Sequence, residues 1–128
     1  MCVTPFRSKT IIKKLTICKT TVNAEVADTL PKKLKGLMFR ESLTEGNGML
    51  FLFYNDDYHG IWMMNMRFPL DIIWIDSNQK IVDIVKNAQP CIIPFSIYKP
   101  RKKARYVLEV NAGFTDKHSI KVGDIVKF

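Results

Sequence analysis

Two carboxylates stand in apolar company in this sequence. Asp71 opens the run DIIWI, and Glu109 lies between Leu108 and Val110. Partial burial raises a carboxyl pKa, which is what a general acid or base at neutral pH requires. A hydrolase-like pair made of Asp71 and Glu109 is one reading, and it needs both carboxyls about 5–10 Å apart on one cleft. The plainer reading of each is a group that satisfies loop backbone donors or pairs with Arg40 or Arg105. Asp71 belongs to a wider stretch, Gly60 to Ser77, in which Trp62, Met63, Met64, Met66, Phe68 and Trp74 surround Asn65, Arg67, Asp71 and Asp76. Such a stretch is the heart of a core or the lining of a recognition site. In the second case Trp62 forms an apolar wall, Asn65 orients a small molecule or peptide, and Asp71 accepts its hydrogen bonds. Arg40 and Glu109 then hold the loops from behind.

Other chemistries find less support. The chain has no phosphate-binding loop, dinucleotide fingerprint, HExxH or nucleophile elbow. His59 and His118 are its two histidines, and neither has a zinc-like spacing to another His or Cys. Clustered thioethers suit copper(I), but on a strand Met64 and Met66 would share a face while Met63 points away. Methionines among aromatic residues more often fill a core, so neither metal nor cofactor is expected. The segment KPRKKAR presents Lys99, Arg101, Lys102, Lys103 and Arg105 between Tyr98 and Tyr106. Basic and aromatic residues together suit single-stranded nucleic acid; a solvated loop is the more ordinary account.

A length of 128 residues and a mass of 14.8 kDa fit one domain. Roughly two thirds of the unfolded chain's surface can be buried at this size, without a metal or disulfide staple. The net charge of +8 is uneven: residues 1–48 carry +5, residues 49–98 carry −2 and residues 99–128 carry +5. Cys2, Cys18 and Cys91 form no close metal spacing, and free thiols in a reducing compartment are expected. The N-terminus MCVTPFRSKT lacks the apolar run of a signal peptide. A cytoplasmic monomer with no transmembrane segment is expected, with residues 1–10 flexible and 11–128 forming the globular domain.

Strands are expected at Leu15–Cys18 and Val22–Ala27, forming a hairpin, then a helix near 29–39 with Pro31 in its first turn. There Leu30, Leu34, Leu37 and Met38 share a helical face. Met49–Tyr54 reads as a strand buried on both faces, and Ile61–Met64 as another. Asp71–Asp76 and Ile81–Val85 flank a turn at SNQK. Ala104–Val110 and Ile125–Phe128 complete the strands, with a short helix between them. The fold class is α+β, β-dominated, with a strongly curved or barrel-like sheet.

Several spaced pieces carry a resemblance: GLMFR (36–40), GMLFLF (48–53), IWMMNMRFPLDIIWID (61–76), IVDIVKNAQP (81–90), Tyr98, VLEVNAG (107–113) and IKVGDIV (120–126). In this order the chain resembles, over about residues 22–128, the prokaryotic family known as domain of unknown function 192. The resemblance implies a β-rich single domain with a short helical portion and no established activity. Many members carry an export signal or lipid anchor, from which this chain departs. The family's shared polar positions correspond to Arg40, Asn65, Asp71, Glu109 and Asn111, beside Trp62 and Pro69. Where relatives usually carry Lys in the tryptophan motif, this chain has Met64.

Overall fold

The structure, a computed structural model, describes residues 10–91 and 97–128. The proposed flexible segment 1–10 therefore lies, apart from Thr10, outside the described residues. Strands β1 (Ile12–Ile17) and β2 (Thr20–Ala27) form the expected hairpin, with Cys18 at φ 55° in its tight turn. Helix α1 spans Leu30–Lys35, followed by β3 (Asn47–Asp57), β4 (Ile61–Trp62), β5 (Leu70–Ile75) and β6 (Ile81–Ala88). The chain ends with β7 (Ile97–Tyr98), β8 (Ala104–Asn111), α2 (Phe114–Lys117) and β9 (Val126–Lys127). The main sheet has seven strands in the order β6-β5-β8-β3-β2-β1-β9, curled into a half-barrel; β4 and β7 pair separately. Among the described residues no helix is long and apolar enough to cross a membrane.

One pairing organises the site. β2 and β3 are parallel neighbours, so the chain between them must cross from one end of the sheet to the other. That crossover is α1 and the loop after it. Thr29 caps the helix by accepting the Lys32 amide, and Pro31 lies in the first turn. The helix then stops at Gly36, at φ 49° and ψ −129°, a conformation that favours glycine. The expected helix to residue 39 is thus cut to six residues. Its apolar face is not buried either: Leu30 and Leu34 are 68% and 52% exposed. Leu37, beyond the break, is the one that enters the core.

Alternation along the strands divides the interior in two. Leu50, Ile73, Ile75, Leu108 and Val110 pack on one face with Leu15, Val22 and Phe114. Met49, Phe51, Ile72, Trp74 and Val107 pack on the other with Leu37 and Met63. Trp74 is fully buried, and its indole N–H donates to the His59 carbonyl at 2.8 Å. Expected burial of β3 on both faces holds for Met49 to Phe51, whereas Tyr54 is almost fully exposed. β8 approaches β3 closely at Gly48, where an added Cβ would lie 2.6 Å from the Glu109 carbonyl oxygen. Backbone cannot yield as a flexible side chain does, so Gly48→Ala should cost about 1–3 kcal/mol, read from urea unfolding midpoints.

β4 ends at Trp62, so the strand alternation expected for Met63 to Met66 does not apply. Met63 and Met66 both enter the second core, joined by a turn in which the Met66 amide donates to the Met63 carbonyl. Cys18 and Cys91 are not bridged, and the Cys18 thiol donates to Asp124.

Candidate functional site

The β5–β8 register places Asp71 opposite Val110 and Ile72 opposite Glu109. Asp71 therefore shares the face of Ile73 and Val110, and Glu109 the face of Ile72 and Val107. The two carboxylates project from opposite faces of one sheet, not into one cleft. This overturns the acid–base pair, because no single substrate bond reaches both groups.

Asp71 is fully buried and fully engaged. Its Oδ1 accepts the Asn87 amide at 2.9 Å, and its Oδ2 accepts the Thr115 amide at 3.0 Å and the Thr115 hydroxyl at 2.7 Å. Both amides need a partner for a structural reason. A register shift between Leu70 and Ile72 takes Asn87, at φ 55°, out of the β5–β6 ladder. Thr115 lies in the first turn of α2, whose N-cap Gly113 offers no side chain. One strand carboxylate thus satisfies a bulge and caps a helix. The expected role of Asp71 in a ligand pocket is corrected accordingly: its oxygens are consumed by the fold.

Glu109 is in the reverse condition. It is 3% exposed, yet it makes no hydrogen bond and no ion pair among the described residues. Burial alone raises its pKa from 4.5 to about 8. The side chain faces a cleft of about 280 Å³ between α1, β3 and the β4–β7 pair. Phe51, Phe53, Ile61, Trp62 and Met66 wall it, and the exposed Leu30, Leu34 and Ile97 line it too. Gly36 keeps the deep end open: a Cβ there would stand 3.7 Å from Glu109 Oε1 and 3.3 Å from Phe51 Cζ. Lys33 and Lys35 complete the lining, with the Lys33 ammonium 4.5 Å over the Phe53 ring.

The family model described as "Uncharacterized ACR" (domain of unknown function 192, DUF192) matches residues 12–128. The chain belongs to this family. Its DUF192 domain is 29% identical to a UPF0127 protein of Pyrococcus abyssi over 92% of this chain and 96% of that one. With a UPF0127 protein of Thermococcus gammatolerans it shares 30% identity over 83% of this chain and 66% of that one. The crystal structure of a protein of unknown function from Novosphingobium aromaticivorans superposes with TM-score 0.85 at 32% identity, covering 91% and 85% of the two chains. That of a Sinorhizobium meliloti protein with a suggested role in transcription regulation gives TM-score 0.88 at 28% identity over 95% and 97%. No catalytic function is indicated by these relatives.

In this DUF192 domain the remaining expected site residues separate. Trp62 lines the cleft. Asn65 is exposed and outside the cleft lining: at φ 59° its carbonyl accepts the Phe39 amide, and its Nδ2 points at Met38 Sδ, 3.9 Å away. Asn111 donates to the Leu43 carbonyl at 2.8 Å and pins the loop before β3. Arg40 pairs with Glu25 at 2.6 Å beside a separate surface hollow. In the basic segment, Arg101 wraps Asp83 through its backbone amide and guanidinium, and Arg105 binds Asp56 at 3.1 Å. Burial works to raise the Asp83 pKa, but the bonds from Arg101 and Ile84 outweigh it and hold the carboxyl below its ordinary value. Lys99, Lys102 and Lys103 remain exposed. Phe51, Phe53, Gly36 and Ile97 were not foreseen at the site. A glycine interrupting the apolar pattern at 36 was the available signal.

Proposed function

We propose that this domain is a non-catalytic binding module whose ligand lies in the cleft over Glu109. An apolar body packs against Phe51, Phe53 and Trp62, and one polar group meets the carboxyl. The observation that supports this is Glu109, without a partner among the described residues, at the deep end of an open apolar cleft. A buried acid without a partner costs stability even when neutral, and Leu would fill the position at less cost. Asp71, fully buried on the other face of the sheet with three bonds to its oxygens, offers no such vacancy. Asn65 shapes the site through Met38 and the Phe39 turn.

Leu34→Asp is the discriminating variant, because no residue of α1 is buried and the fold should hold. Compounds of benzyl and short alkyl type should raise the melting temperature of the wild-type protein. Leu34→Asp should lose at least half of that shift with its own melting point changed little. Shifts that survive this substitution unchanged place the binding elsewhere and sink the reading.

A further inference from the structure

The chemistry around Glu109 narrows the ligand. Three kinds of polar group could meet a carboxyl in an apolar cleft. A neutral acceptor would take one hydrogen bond from its protonated form. Among the described residues a carboxylate would find no fixed cation at the deep end, since Lys33 lies over the rings of Phe53 and Tyr54, at 4.5 and 5.4 Å. An ammonium group would gain an anionic partner and the aromatic rings of Phe51 and Trp62. The faces of Phe53 are already taken, by His59 stacked at 3.8 Å and by the Lys33 ammonium at 4.5 Å.

We propose that the cleft binds a primary amine on an apolar stem, its ammonium on the Glu109 carboxylate and its body against the aromatic wall. This rests on the binding-module reading and adds the ligand's charge and class. On binding, RNH3⁺ meets the carboxylate and the carboxyl proton leaves to solvent, so charge balances. α1 contributes Lys33 and Lys35 to the surroundings of Glu109. From β2, Glu25 is on the same sheet face but is bound to Arg40. β3 presents Met49 and Phe51, β5 presents Leu70 and Ile72, and β7 presents Ile97, none of which titrates. With Glu109 protonated up to about pH 8, amine binding must release a proton below that pH.

The test is calorimetric titration of the full chain with phenethylamine, 2-phenylethanol and 3-phenylpropionate from pH 6 to 9, with Glu109→Gln as the isosteric control. Phenethylamine affinity should rise about tenfold from pH 6 to 7 and level off above 8, while the alcohol stays within about twofold. Glu109→Gln should lose the slope and at least about tenfold of amine affinity at pH 8. Nα-acetyl-lysine amide separates the two sources of such an amine. Binding as tight as phenethylamine assigns the cleft to a lysine side chain of a peptide, weaker binding to a free amine. If amine and alcohol bind alike with no pH slope, or the propionate binds best, the amine proposal falls and the cleft reading stands. If none binds at about 10 mM, both fall.

Discussion

Glu109→Gln is expected to be more stable than the parent at pH 8 and to remove most of the pH dependence between pH 5 and 8. The folded protein holds this carboxyl's pKa at about 8 against 4.5 without burial. Between these values the unfolded chain has lost the proton and the folded one keeps it. The folded state then binds more protons, so stability falls as pH rises, from its full value below pH 4.5 to a floor above pH 8. At 1.36 kcal/mol per pKa unit the complete loss is roughly 4–5 kcal/mol. Gln keeps the shape and never ionises. Urea unfolding of parent and variant at several pH values isolates Glu109, because every other titrating group cancels in the difference. Parallel pH profiles would show that the carboxyl ionises freely in the fold.

Asp71→Ala should cause the larger loss at fixed pH, about 3–5 kcal/mol. It strands the amides of Asn87 and Thr115 and the Thr115 hydroxyl in a fully buried space. It also leaves a void between β5 and α2. Thr115→Val, which removes one of the three donors, should cost about 1–2 kcal/mol. Hydrogen exchange should show the Asn87 and Thr115 amides opening in Asp71→Ala while the β1–β2 hairpin stays protected. A loss below about 1 kcal/mol would return Asp71 to the list of functional candidates.

Local chemistry wrote much of this fold openly. Two hairpins, the start of α1 at Thr29 and Pro31, and the short α2 follow from strand alternation, capping and turn residues. The long apolar run of β3 marked a central strand. The chain did not reveal that β2 and β3 run parallel, since that pairing depends on contacts far apart in sequence. The early stop of α1 was half-legible: Gly36 weakened the helix, but its left-handed φ is imposed by packing over Phe51 and Glu109. The β4–β7 pair, which supplies one wall of the cleft, joins two-residue strands too short for any periodic signal.

The candidate site shows the same division. Sequence alone determined that Trp62 belongs to a densely apolar stretch and that Asp71 and Glu109 are acids in apolar strands. In both cases the neighbours are hydrophobic and the local pattern is the same. The tertiary structure decided what each acid does, through the β5–β8 register. Side chains alternate between faces, so pairing Asp71 with Val110 and Ile72 with Glu109 sends the acids to opposite sides of the sheet. On one side a bulge and a helix end supply three donors, and the carboxylate becomes part of the fold. On the other side the crossover of α1 leaves a cleft, and the carboxyl faces it without a bond from the described residues.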